Sequence, residues 1–257
     1  MSLNPAIRDW SSQRVWVVGA SSGIGQALSK SLLERGAKVA ISARKEQPLA
    51  FLAESFPESA LAVPFDVNQE SGWHSAHENI TRTWGGIDIM VFCAAAYTPM
   101  HAWELDVHVA TGMIDTNISG AIKGLAAVLP DMLKSGSGHI SLVASVAGYM
   151  GLPKSLIYGP TKAALINMAE SLYLDVHERG IGVSVINPGF VDTPLTKGND
   201  FKMPSLITPE TAAGEIIRGF EKGLFEIHFP KKFTAWLRLI RRLPYSLRFR
   251  LLSKVST

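Results

Sequence analysis

Cysteine is almost missing from this chain: Cys93 is the single instance in 257 residues. One thiol excludes an internal disulfide and any cysteine-rich zinc site. It fits a reducing cytoplasm, and no metal is expected. No apolar run reaches the ~18 residues that suggest a membrane span. The segment Met1 to Trp10 carries Asn, Pro, Arg and Asp and has no apolar signal-peptide core. A cytoplasmic protein is therefore expected rather than a secreted one. Internal repeats with periods of roughly 20–50 residues are absent, as are low-complexity linkers.

Acidic residues are absent from 227–257, where Lys231, Lys232, Arg238, Arg241, Arg242, Arg248, Arg250 and Lys254 supply eight positive charges. The whole chain has 25 Lys and Arg against 22 Asp and Glu, so the remainder holds 17 against 22, a net −5. An acidic body with a basic tail is the first functional hint. Hydrophobic residues make up 47% and charged residues 18%, which excludes a disordered or collagen-like chain and supplies a packed core.

Strand-like and helix-like segments alternate. Short apolar runs at 15–18, 38–42, 61–65, 88–92, 139–144 and 181–187 read as strands. Helical patterns lie between them at Gly19–Gly36, Glu46–Phe56, Gln69–Trp84, Trp103–Lys134 and Ser155–Arg179. Pro209–Lys222 and Leu224–Phe229 read as a last helix and an edge strand. Nearly continuous apolar strands spaced by helices imply a parallel sheet covered on both faces. The expected architecture is α/β, one doubly wound domain over 1–230, with a basic helical extension over 231–257.

Between the first strand and first helix runs Gly19-Ala20-Ser21-Ser22-Gly23-Ile24-Gly25. Glycines permit a tight turn and let backbone N–H groups approach a diphosphate, and the helix N-terminus adds partial positive charge. The second strand ends Ser42-Ala43-Arg44-Lys45. An Asp or Glu here would bind the ribose 2′-hydroxyl of NAD. None is present, and the guanidinium of Arg44 suits a 2′-phosphate. NADP(H) is expected ahead of NAD(H). The alternative for Arg44 is a solvated surface side chain.

Tyr158 and Lys162 stand four apart near the start of a helix, so phenol and ammonium share a face. A phenol of ordinary pKa is a poor base at neutral pH, and a neighbouring cation lowers that pKa. Tyr158 then exchanges a proton with an alcohol or carbonyl. The bland alternative is a half-buried Tyr beside a snorkelling Lys. Ser145 follows the fifth strand, where α/β folds place ligands, although loop serines are usually turn formers. Asn117 lies inside the long helical stretch, where Asn is mildly unfavourable and ordinarily marks a back-bond or bend.

Taken in order, these elements resemble the short-chain dehydrogenase/reductase family over roughly Arg14 to Lys222. They are Gly19-x3-Gly23-Ile24-Gly25, Asp66-Val67, Asn117, Ser145, Tyr158-x3-Lys162, and Asn187-Pro188-Gly189 with Thr193. The resemblance implies a Rossmann fold and hydride transfer between a nicotinamide and a carbonyl or secondary alcohol. It makes Tyr158 the acid/base and Lys162 the ribose ligand that lowers the Tyr pKa. Ser145 orients the substrate oxygen, and Asn117 sustains a water-linked proton relay. Asp66 with Val67 meets the adenine, and Pro188, Gly189, Val191 and Thr193 flank the carboxamide. A homodimer or homotetramer built on the two long helices is also implied. The family often has Asn-Asn-Ala-Gly after the fourth strand; here stands Phe92-Cys93-Ala94-Ala95. Ala94 and Ala95 still admit the cofactor, and Cys93 reads as a small hydrophobe. A Val, Val18, occupies the position before the first glycine that is usually Thr.

The long segment Phe190–Thr208 reads as a lid carrying Pro194, Leu195, Phe201, Met203, Pro204, Leu206 and Ile207. With Met150, Leu152 and Leu156 it suggests an apolar substrate, or else ordinary closure of a loop. In the tail, Phe233, Trp236, Leu237, Ile240 and Leu243 share one helical face, with Pro244 ending the helix. Two readings stand: packing on the acidic body or a partner copy, and peripheral contact with anionic lipid. No nucleic-acid recognition motif accompanies the charge. The functional alternatives to an enzyme are an NADP(H)-binding sensor or scaffold without turnover and a membrane-surface protein.

Overall fold

The β-branched run Val15-Trp16-Val17-Val18 sends alternate side chains to opposite faces, and both faces are buried. The computed structural model describes residues 2–199 and 203–253. Phe201 and Lys254 therefore lie outside the described residues.

Among the described residues seven strands form one parallel sheet: β1 (Arg14–Val18), β2 (Lys38–Ser42), β3 (Ala60–Ala62), β4 (Ile89–Phe92), β5 (Gly138–Val143), β6 (Ile181–Pro188) and β7 (Glu226–Phe229). Their order is β3-β2-β1-β4-β5-β6-β7. β1 pairs with β2 on one side, Val15 opposite Val39, and with β4 on the other, Val18 opposite Phe92. The strand order reverses there, opening a crevice at the carboxyl ends of β1 and β4.

Helices cover both faces. On one face α1 (Gly23–Leu33), α2 (Glu46–Ser55) and α7 (Pro209–Glu221) bury Leu28, Leu49 and Ile216 against Val15, Val17 and Ile41. On the other, α3 (Glu70–Trp84), α5 (Gly120–Ser135) and α6 (Tyr158–Val176) bury Trp73, Val128 and Leu165 against Trp16, Met90 and Leu142. Trp16 is fully buried, and its indole donates to Ser42 Oγ at 2.9 Å. This satisfies both polar atoms inside the layer.

The expected helix at Trp103–Lys134 is not continuous. A 3₁₀ turn at Ala102–Glu104 precedes α4 (Val107–Ile114), which Asp106 caps by accepting from His108 N and Val109 N at 2.8 and 3.1 Å. A π-helical turn, Asp115–Ser119, then separates α4 from α5. The helix expected from Ser155 starts at Tyr158, so the catalytic-type Tyr stands on the first turn of α6. β3 ends at Ala62, three residues short of the expected Phe65.

The extension folds as α8 (Lys231–Arg241) and α9 (Tyr245–Ser253). Its apolar positions do not share one side. Leu237 packs with Val146 and Tyr149, and Ile240 and Thr234 are also buried, whereas Trp236 and Leu239 face outward. Among the described residues no helix is long and apolar enough to cross a membrane.

Candidate active site

The crevice above β1 and β4 is a cleft of about 690 Å³, within the range of small-molecule sites. It runs from Arg44 and Asp66 at one end, past the glycine loop, to Ser145 and Tyr158 at the other. Gly19 turns the chain at φ +97°, and a Cβ there would lie 2.5 Å from Ala94 N. Only glycine lets the loop lie flat on the end of β4. A Cβ on Gly23 would meet the Thr193 methyl at 2.8 Å, so the segment after β6 rests on the loop. Ser22 leads into α1 without capping it through its side chain, and the first turn has no acidic residue. The N–H groups at this helix end thus face the cleft as an anion-binding donor set. The shape and donors fit a dinucleotide diphosphate.

Of the residues expected from sequence, Gly19, Ser21, Ser22, Gly23, Ile24 and Gly25 line the cleft. So do Arg44, Asp66, Val67, Ala94 and Ala95, and so do Ser145, Tyr158, Lys162, Pro188, Gly189, Val191 and Thr193. Arg44 is exposed at the end of β2. Asp66 holds its own loop by accepting from Asn68 N at 3.0 Å.

Asn117 stands behind the cleft wall, fully buried on the π turn. Its Oδ1 accepts from Ala96 N at 2.7 Å, and its Nδ2 donates to Ala96 O and to Thr161 Oγ1, each at 3.0 Å. Both amide protons are committed. The side chain is thus a clamp between the loop after β4 and helix α6.

At the other end of the cleft, Ser145 caps a 3₁₀ turn, its Oγ accepting from Ala147 N at 3.1 Å, and it also hydrogen-bonds the Tyr158 hydroxyl. Lys162 is 1% exposed; its Nζ donates to Val143 O at 2.9 Å and sits 5.6 Å from the Tyr158 ring centre. Burial draws the Lys162 ammonium down to about 8, so it is predominantly charged at neutral pH. Burial also raises the Tyr158 phenol well above its ordinary value; Tyr97 and Cys93 add to this, and the Ser145 bond opposes it. The direction is opposite to the sequence expectation. Lys162 points at the end of β5, and desolvation of the phenol outweighs the lowering expected from its charge. Cys93 is partly buried, and desolvation pushes its thiol up to about 11.

Two groups escaped the sequence reading. Tyr97, in the loop after β4, packs edge-on against Tyr158 with ring centres 4.6 Å apart, and its hydroxyl donates to Asn199 Oδ1 at 2.8 Å. It ties the lid to the site. Its only signal was an aromatic beyond a strand's carboxyl end. Glu226 accepts from Tyr149 Oη at 2.5 Å and from Asn187 Nδ2 at 3.0 Å, and pairs with Arg238 at 3.3 Å. It joins the Asn187-Pro188-Gly189 strand end to α8. Of the expected lid and pocket residues, Leu195 lines the cleft, while Met150 packs beneath α8.

A doubly wound parallel sheet with a glycine loop at its switch point and Ser145, Tyr158 and Lys162 further along the same cleft defines a dinucleotide-fold oxidoreductase architecture. The sequence matches the short chain dehydrogenase family over residues 13–203, and the chain belongs to that family. It is 36% identical over 201 residues to an uncharacterized oxidoreductase of Staphylococcus epidermidis, covering 78% of this chain and 87% of that one. An uncharacterized oxidoreductase of Myxococcus xanthus is 33% identical over 231 residues, covering 89% and 91%. Among solved structures, a short chain dehydrogenase/reductase of Burkholderia phymatum in complex with NAD superposes with a TM-score of 0.83 at 20% identity, covering 91% of this chain and 94% of that one. A short-chain dehydrogenase of Streptomyces avermitilis gives 0.80 at 24% identity, covering 95% and 98%. At these identities the two structures speak for the fold.

Proposed function

We infer that this oxidoreductase reduces a carbonyl of an apolar substrate with NADPH, and that Tyr158 is the proton donor. A bound nicotinamide supplies the hydride to the carbonyl carbon. Ser145 and Tyr158 hydrogen-bond the carbonyl oxygen and draw electron density from the carbon. Tyr158 then passes its hydroxyl proton to that oxygen, completing the alcohol. Lys162, charged and 5.6 Å from the Tyr158 ring, offers its ammonium to the ribose and stabilises the phenolate left behind. Asn117 holds the wall against which this constellation is set.

The observation that carries the reading is the convergence of Ser145, Tyr158 and Lys162 in the same cleft as the glycine loop, at the end away from Arg44. A scaffold that only binds a dinucleotide needs no such set. Arg44 and Lys45, with no acidic side chain between Ser42 and Lys45, support a 2′-phosphate at the far end of the cleft. Leu195 at the rim and the hydrophobic lid support an apolar substrate. Outward-facing Trp103, Val107, Ile114 and Ile122 on and beside α4 and α5 support assembly into a homodimer or homotetramer across those helices.

The test is cofactor oxidation with a panel of steroid, fatty acyl, terpenoid and aromatic carbonyls, run with NADPH and with NADH. Turnover with at least one apolar carbonyl, and a higher kcat/KM for NADPH, is expected. No turnover with any member, alongside tight NADPH binding, would favour a sensor.

A further inference from the structure

Helix α8 is apolar on two sides. Its inner side, Thr234, Leu237 and Ile240, is covered by the body. Its outer side carries Trp236, 47% exposed, and Leu239, 61% exposed, one turn apart and in line with Lys232. A helix that only packs on its own domain needs a single apolar stripe. Helix α9 adds Tyr245 and Phe249 on one side, with Leu247 and Leu251 on the opposite side, all exposed. Arg248 stacks over Tyr245 with its guanidinium carbon 4.3 Å from the ring centre and lies 5.9 Å from that of Phe249.

Around these rings stand Lys231, Lys232, Arg238, Arg241, Arg242 and Arg250, with no acidic residue beyond Glu226. Arg238 is engaged by Glu226 at 3.3 Å; the other five are exposed. The surface therefore interleaves aromatic and aliphatic side chains with exposed cations.

We propose that the outer face of α8 and α9 is a docking surface for an anionic lipid bilayer. Rings of Trp and Tyr settle at the headgroup level, aliphatic side chains enter the acyl boundary, and Lys and Arg meet anionic headgroups. A second copy of the chain is a poorer occupant. A two-fold interface sets the same patch against itself, and here cations would face cations. The remainder of the chain, at −5, is repelled by the same bilayer, so charge alone turns the tail toward it. The surface is also tied to the site: Phe233 of α8 packs at a tilt against Phe190, ring centres 5.7 Å apart, and Gly189 has Phe233 at 3.0 Å from where its Cβ would be. Docking would thus hold the substrate end of the cleft beside the lipid.

Flotation of the full chain with vesicles of phosphatidylcholine alone and of phosphatidylcholine with phosphatidylglycerol tests it. Recovery with the anionic vesicles is expected, with affinity for the neutral ones at least about tenfold lower. Binding should weaken as salt shortens the Debye length from ~10 Å at 0.1 M to ~3 Å at 1 M. The double variant Arg241→Glu, Arg242→Glu should lose about tenfold or more in affinity, and Trp236→Ser with Phe249→Ser should leave only weak, salt-dissociable binding. NADPH binding, measured alongside, should be unchanged in all of them. No vesicle binding, equal binding to neutral vesicles, or indifference to both double variants would overturn the proposal. So would an oligomer that falls to monomer on Trp236→Ser with Phe249→Ser while vesicles are ignored.

Discussion

The amide of Asn117 donates to Thr161 Oγ1 at 3.0 Å, and the Thr161 hydroxyl in turn donates to Tyr158 O at 2.8 Å. One buried side chain thereby connects the π turn to the helical turn that presents Tyr158. Replacing it strands Ala96 N and Ala96 O and leaves the threonine with only its bond to Tyr158 O. Asn117→Ala is expected to cost about 1–3 kcal/mol, the penalty for leaving buried polar groups unpaired. Urea unfolding checks this, and a change under about 0.5 kcal/mol would remove the clamp role.

Arg44→Ala should weaken NADPH far more than NADH. A bidentate guanidinium–phosphate contact is lost in one case and only a surface charge in the other. Titration of both cofactors against wild type and variant measures the ratio. An unchanged ratio would leave Arg44 as a solvated side chain.

His139 governs part of the acid sensitivity. It is buried, its Nε2 lies 2.9 Å from Ser184 Oγ, and burial draws its pKa down to about 4. Between pH 6.5 and 4 the unfolded chain binds a proton that the folded chain refuses, so stability is held above pH 6.5 and lost as pH falls toward 4. The loss from this group is roughly 3 kcal/mol. Urea midpoints at pH 7 and pH 4.5 should differ less in His139→Gln than in wild type. Equal differences would place the sensitivity elsewhere.

Tyr97→Phe keeps the ring against Tyr158 and removes the hydroxyl bond to Asn199. The lid segment at 190–199 should then open more readily, by about 2- to 10-fold, as expected for one hydrogen bond of ~0.5–1.5 kcal/mol. Hydrogen exchange in that segment reads the change directly, and unchanged protection would show that the tie does not hold the lid.

Much of this was legible in the residue order. Every strand was visible because a parallel sheet buried on both faces demands short continuous apolar runs, as in Val39-Ala40-Ile41. The glycine loop and the Tyr158, Lys162 pair were visible because spacing places them. The π turn was not: helical periodicity continues through Asp115–Ser119, and the contacts that accompany the turn come from Ala96 and Thr161. Tyr97 was hidden for the same reason, its hydroxyl partner lying 102 residues away. The tail misled in a different way. Trp236 and Leu237 are neighbours in sequence, and only the position of Val146 and Tyr149 decides which of them is inward. The direction of the Tyr158 shift also needed the structure, because burial cannot be read from a four-residue spacing.

Loss of the Tyr158 hydroxyl tests most directly whether it supplies the proton. Tyr158→Phe removes that one oxygen and keeps the ring against Tyr97. NADPH affinity should stay within about twofold while kcat falls by about 10²–10⁴, the range for loss of a positioned acid. Near-normal turnover in Tyr158→Phe, with a substrate that the wild type reduces, would contradict the account.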